Sequence, residues 1–140
     1  MQTKKTTLSI QDLRELHVEL TGVPNGFPGL LSEKLPFKLR YYLSKVSGIA
    51  LDEFTKSESI RLDLVRKYGT LDNNNNFVIE PTIEDDGKVL ENTDYQTFIK
   101  DWIDVISKEI EVEHYDFKIE DFNNLETNFN YRVIFLIISL

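Results

Sequence analysis

The apolar positions of this chain fall first into a short helical repeat. Ile10, Leu13, His17 and Leu20 recur at three- and four-residue steps. Ser9 stands before them as an N-cap, and Asp12 completes a capping box. Leu8 and Leu13 occupy the positions of a hydrophobic staple, and Gly22 is a natural stop. The spacing predicts a helix over 10–20. Residues 21–33 hold Gly22, Pro24, Gly26, Pro28 and Gly29 and read as a loop, in which Phe27, Leu30 and Leu31 are expected to pack.

A much longer helical repeat follows, over 35–68. Pro36 fits its first turn. Leu39, Leu43, Val46, Ala50 and Phe54 step along one face, and Ile60, Leu64 and Tyr68 resume it after the polar stretch Thr55 to Ser59. Gly69 closes it, with Arg66 and Lys67 placed against the helix dipole. Unbroken, such a helix is about 50 Å long. That exceeds a domain of this size. The expectation is a break near Gly48 or Ser57, or an arm whose apolar stripe needs a partner.

Residues 70–80 read as a β-hairpin turning at Asn73 to Asn76, because asparagine tolerates the left-handed backbone of tight turns. Pro81 ends it, and an acidic loop around Gly87 follows. Thr93 with Gln96 reads as a second capping box and opens a helix over 94–108, whose face is Tyr95, Phe98, Ile99, Trp102, Ile103 and Ile106. Ile110, Val112 and His114 alternate with acids, and Tyr115, Phe117 and Ile119 continue in the opposite parity. This is a strand over 109–119 with a bulge or register break near His114. The apolar segment 127–140 reads two ways. Phe129, Val133, Leu136 and Leu140 fit a helix capped by Thr127, while its β-branched content favours a strand. These elements predict a single α+β domain, mostly helical, with one long central helix, a β-hairpin and a short antiparallel sheet.

Composition narrows the picture. The chain has 140 residues, 41% hydrophobic and 29% charged, as in one ordinary globular domain. It has no cysteine, which excludes a thiolate nucleophile, a disulfide framework and a sulfur-ligated zinc. Lys4 and Lys5 are not followed by an apolar core, so no signal peptide is expected. The run Val133 to Ile138 is too short for a membrane span of about 20 residues, and no membrane partner is expected.

The net charge of −8 opposes general binding to nucleic acid. Its distribution is uneven. Residues 34–67 hold eight Lys/Arg against four Asp/Glu, and residues 71–128 hold sixteen Asp/Glu against four Lys. Either two solvated faces neutralise one another within the fold, or the basic face of one copy meets the acidic face of the next.

Candidate chemistry is sparse. Asp72, Asn74 and Asn76 match the opening of a calcium loop, but Phe77 stands where glycine is needed and Ile83 where glutamate is needed. His114 lies among Glu111, Glu113 and Asp116, but alternation puts Glu111 and Glu113 on one strand face and His114 and Asp116 on the other. Asp116-Phe117-Lys118 with Asp101 or Asp104 mimics a metal-dependent nuclease core in a strongly acidic setting that would repel its substrate. No serine sits in a nucleophile elbow. No catalytic residue, metal or cofactor is expected. Phe37, Tyr41 and Tyr42 interleave with Lys34, Lys38, Arg40 and Lys45, a pattern that can stack bases. Tyr41 and Tyr42 diverge by about 100° on a helix, so at most one joins the core.

The run Leu35-Pro36-Phe37-Lys38, then Tyr42-Leu43, then Leu64 to Gly69 followed by the Asp/Asn turn, and finally the acidic strand Glu109 to Ile119, resembles small uncharacterised proteins of tailed bacteriophages and prophages. The resemblance covers about residues 34–120 and stops at the apolar tail, Tyr131 to Leu140. It implies a viral origin and carries over no functional residue. Together with the charge split, the long helix and the apolar tail, it leads to one expectation: a non-enzymatic structural or accessory phage protein, in the virion or the host cytoplasm, acting through contacts with other phage proteins or with itself. The contact residues expected are Phe129, Tyr131, Val133, Phe135 and Leu136 in the tail, and Lys38, Arg40 and Lys45 on the basic face. Two alternatives stand beside it. One is an acidic inhibitor of a host nuclease or defence complex, carried by Glu84, Asp85, Asp86, Glu111 and Glu113. The other is weak nucleic-acid binding through the basic helix 34–67.

Overall fold

The computed structural model describes residues 2–81, 83–88, 93–123 and 131–139. The chain is α+β and forms two compact units, Met1–Phe54 with Glu109–Leu140, and Thr55–Lys108.

The first unit opens with a strand the periodicity did not announce, β1 (Thr3–Ser9). Its inward positions are Lys4, Thr6 and Leu8, of which only Leu8 is apolar, so alternation leaves no signal. Ser9 then caps α1 (Ile10–Thr21): its hydroxyl accepts from the Asp12 amide at 3.0 Å, and its own amide donates to Asp12 Oδ2 at 3.1 Å. Ile10, Leu13, Leu16 and Leu20 are the buried face, and His17 sits at its margin. The loop after α1 closes on itself through two glycines. Gly22 (φ 78°) and Gly29 (φ 88°) are both left-handed, and a Cβ on Gly29 would lie 2.5 Å from the Gly22 nitrogen. A single 3-10 turn, Leu30–Ser32, buries Leu30.

Helix α2 runs unbroken from Phe37 to Tyr68, through both Gly48 and Ser57, so neither expected break occurs. The division between the two units falls inside it. In the first unit it buries Leu39, Leu43, Val46 and Ala50.

The acidic strand is β4 (Glu109–Tyr115), antiparallel to β1 in a register from Thr3↔Tyr115 to Ser9↔Glu109. The break expected near His114 lies at Asp116 and is a change of sheet. The backbone resumes as β5 (Phe117–Lys118), which pairs in parallel with β6 (Ile138–Ser139). Opposite parity across Asp116 therefore marks two pairings, where the sequence suggested one bulged strand. The tail is helix and strand in succession: α4 (Arg132–Leu136), then β6. Tyr131, Val133, Ile134, Ile137 and Ile138 are all buried in the core. Thr127 and Phe129 lie outside the described residues.

The second unit holds the end of α2, a hairpin of β2 (Thr70–Leu71) with β3 (Phe77–Val78), and α3 (Asp94–Ile106). The hairpin pairs Thr70 with Val78 and Leu71 with Phe77, and Asn75 takes the left-handed conformation (φ 61°). The Thr93 hydroxyl caps α3 by accepting from the Gln96 amide at 3.3 Å. Two expected positions are corrected. Ile60 is exposed, because the stripe from Ala50 and Phe54 reaches Ser57 and Arg61 at helical spacing and leaves Ile60 one residue aside. Ile103 is exposed too, while Phe98 is the buried residue of α3. Among the described residues, no helix is long and apolar enough to cross a membrane.

Candidate functional site

The ionisable groups with shifted pKa values are mostly occupied in holding the chain together. The tail is tied to α1 by a ladder of carboxylates. Arg132 reaches Asp12 at 2.7 Å and Glu15 at 2.8 Å, and Glu19 accepts the amides of Val133 at 3.1 Å and Ile134 at 3.0 Å. Burial acts to raise the Asp12 carboxyl, but hydrogen bonds from Arg132 and Ser9 outweigh it and hold it below the ordinary value. At Glu19 burial wins over the two amides and pushes the carboxyl up.

Asp116 is held down by hydrogen bonds, first from the Ser139 hydroxyl at 2.6 Å and then from Lys118 at 2.9 Å. Its presumed nuclease companion, Asp101, lies in the other unit and accepts from the Tyr68 hydroxyl at 2.8 Å. The structure brings no such pair together within either unit. His114 is buried, and burial lowers its pKa. Its Nδ1 lies 2.8 Å from the Tyr115 carbonyl, so that nitrogen donates, and Nε2 accepts from the Thr6 hydroxyl at 2.7 Å. Asp72 turns its carboxylate onto the amides of Asn74 and Asn76, at 2.8 and 3.0 Å, as an Asx turn does. Among the described residues, no group of three His, Asp or Glu is placed to hold a metal.

What remains is a face of the first unit where aromatic rings and lysines meet. Tyr42 stacks on Tyr115 with ring centres 4.2 Å apart and planes within 7°, bringing α2 against the end of β4. Tyr41 meets Tyr42 edge-on at 5.2 Å, and Tyr115 meets the buried Phe117 edge-on at 5.4 Å. The rings thus run from the surface into the core. Lys45 lies 4.9 Å over Tyr41, and Lys38 lies 5.2 Å over Tyr115, both within cation–π range. A hydrogen bond to Tyr115, and then that group's charge, hold the Lys38 ammonium above its ordinary pKa. Phe37, one helical turn from Tyr41, is 85% exposed.

Two cavities flank Tyr115. One, of about 200 Å³, lies among Tyr42, Lys45, Val46, Ile49 and His114. The other, of about 260 Å³, lies among Pro36, Lys38, Leu39, Glu120 and Asp121.

The residues expected to make contacts divide accordingly. Lys38 and Lys45 are exposed on this face. Arg40 is spent inside the fold, donating to the carbonyls of Leu31 at 2.7 Å and Glu33 at 2.6 Å. Tyr131 and Val133 are core residues, covered by the chain itself. Phe135 and Leu136 are exposed, and Phe129 lies outside the described residues. Tyr115 was missed, since nothing local in the acidic strand links it to a helix 73 residues earlier. The divergence of Tyr41 and Tyr42 holds: Tyr41 is exposed and Tyr42 half-buried. No protein-family model, no curated protein and no solved structure matches this chain.

Proposed function

We propose that this chain is a non-enzymatic contact protein, a structural or accessory component that works by binding protein surfaces. The observation that carries the reading is the aromatic–lysine face, with Phe37 almost fully in water beside lysine-capped rings. Exposed aromatics on a rigid helix, next to a cavity, have the make-up of an interface anchor. The resemblance to tailed-phage proteins supports a site of action in a virus particle or its assembly. Glu113, Glu120 and Asp121 border the two cavities and oppose a phosphate backbone at this face.

The test is a photo-crosslinking residue at position 37, introduced in cells that express the protein. Discrete crosslinks to protein, lost when Lys38 and Lys45 are changed to Gln, are expected. Their absence would remove the reading. An acidic inhibitor is the second reading, favoured by Glu111 and Glu113 sharing the exposed side of β4; it requires tight, salt-sensitive binding to a basic nuclease.

A further inference from the structure

We infer that the outer edge of β4 is a docking site for an extended segment of another protein, one that carries lysine or arginine at alternate positions with apolar residues between them. The inference goes beyond the aromatic–lysine face. Its chemistry is that of a strand's open backbone, and it holds or fails whatever position 37 touches.

The register decides which backbone groups are open. Gln2 lies opposite Asp116, one step beyond the pair Thr3↔Tyr115, and the Asp116 amide donates to the Gln2 carbonyl at 3.2 Å. In an antiparallel pair, residues that exchange hydrogen bonds alternate with residues that do not. Lys4↔His114, Thr6↔Val112 and Leu8↔Ile110 are therefore the bonded pairs. Glu109, Glu111 and Glu113 turn their N–H and C=O groups away from β1. Two contacts agree with this parity. Ser9, opposite Glu109, gives its amide to Asp12 at 3.1 Å, and the Tyr115 carbonyl accepts from His114 Nδ1 at 2.8 Å. The sheet has two strands, and among the described residues no backbone group hydrogen-bonds to the outer side of β4.

An open row of donors and acceptors at this spacing fits an extended polypeptide. The side chains beside it set the sequence. Glu109, Glu111 and Glu113 are exposed on one face of β4, about 7 Å apart. On its inner side this row already takes a basic, hydroxyl-bearing strand: Lys5 lies 3.7 Å from Glu111, and the Thr3 hydroxyl donates to Glu113 at 3.1 Å. Lys5 is the one base that β1 sets on this face, against three glutamates, so two negative charges are left over.

At its far end the row meets apolar surface. Glu113, His114 and Tyr115 line the cavity of about 200 Å³ with Lys45, Val46 and Ile49 of α2. Successive strand residues face opposite ways, so a cavity lined by three in a row opens at the strand's margin. Lys45 stands at that end. The segment's bases therefore belong beside Glu109 and Glu111, and an apolar side chain beside Val46 and Ile49. A second copy matches this less well. Two β4 edges side by side would oppose glutamate to glutamate, and the β1 strand of another copy brings one outward lysine, Lys5.

NMR of the natural chain tests this, with a capped peptide of alternating lysine and valine as the probe. The amide protons of Glu111 and Glu113 are expected to move downfield. Their exchange is expected to slow by about 10-fold with the peptide at ten times its dissociation constant. The amides of Ile110 and Val112, already bonded to β1, are expected to keep their shifts. A glutamate–valine peptide, and the lysine peptide with all its amides N-methylated, are expected not to bind. The variant Glu109→Gln, Glu111→Gln, Glu113→Gln keeps every backbone group. It is expected to bind the lysine peptide about 10-fold more weakly at low salt.

A lysine peptide that binds while Glu111 and Glu113 keep their shifts overturns the edge as the site. Equal binding of the glutamate peptide overturns the charge match. Absence of binding, with crosslinks from position 37 intact, overturns the inference and leaves the aromatic–lysine face standing. The same shifts arising in the natural chain alone as its concentration rises overturn the foreign segment in favour of a second copy.

Discussion

The two halves of α2 carry similar apolar patterns and meet different fates. From Leu39 to Ala50 the stripe is sealed in the core, whereas beyond Phe54 only Ser57 and Val65 are buried. The first unit draws its cover from far along the chain: β1 pairs with β4, and the tail packs under the carboxylates of α1. The second unit is assembled from neighbours in sequence, and Val65 and Phe98 are its buried apolar side chains among the described residues. An apolar stripe says which side of a helix turns inward. How deeply it is buried depends on what the rest of the chain brings to it.

The widest gap should appear in core truncations. Leu13 and Leu43 are fully buried, and changing either to Ala is expected to cost about 2–5 kcal/mol. Ile103, exposed on α3, should change stability by less than about 0.5 kcal/mol on the same substitution. Denaturant unfolding of the three variants measures this, and equal losses would mean that the second unit buries its helix as deeply as the first.

Glu19 comes next. Glu19→Ala leaves the amides of Val133 and Ile134 without their acceptor, which costs about 1–3 kcal/mol if they stay buried. Glu19→Gln keeps an acceptor and should lose less. Faster amide exchange at Val133 and Ile134, with Leu43 unchanged, would place the loss in the tail. Unaltered exchange at those two amides would break the link between α1 and the tail.

Where the fold was readable, the cause was local. The box at Ser9 and Asp12, the Thr93 half of the box expected with Gln96, and the turn at Asn75 each lie within four residues of sequence. The strand β1 was not readable, because Lys4 and Thr6 face inward and its partner lies over a hundred residues away. The tail reads as helix or strand and holds both in succession, and its buried side chains are covered by its own chain. That depends on Glu19 and Phe117, which no pattern within 127–140 announces. The candidate face was half visible. Lysines and aromatics alternate openly from Lys34 to Lys45, while Tyr115, which splits the two cavities, arrives through the fold.

Acid should act on one unit only. The chain's two histidines, His17 and His114, lie in the first, and burial, the larger cause at each, lowers both below the ordinary 6.5. Arg14 beside His17 and Lys4 beside His114 add to the lowering, while Tyr115 and Asp116 oppose it at His114. A depressed histidine binds protons more readily when unfolded. Its contribution is therefore complete above about pH 6.5 and drains as pH falls toward the folded value. Glu19 has the opposite sign. Held above the ordinary 4.5, it gains its proton more readily in the fold and returns some stability at the acid end. Between pH 7 and 5, amide protection in β4 should fall while that in α3 holds, and His114→Asn should flatten the loss. A parallel fall in α3 would mean the units unfold together.

The smallest effect tests the continuity of α2. Gly48 lies in the helix interior, and a Cβ added there meets nothing within 4 Å. Glycine costs about 0.5–1 kcal/mol against alanine in such a position, through the backbone freedom it gives the unfolded chain. If the helix passes straight through, Gly48→Ala returns that amount and raises the unfolding midpoint. If the chain needs glycine to bend there, as the length of the pattern first suggested, the same change lowers the midpoint. The position lies one turn past Lys45, on the exposed side of α2. A stabilised variant that crosslinks from position 37 as the natural chain does would therefore separate the rigidity of the helix from the contacts it makes.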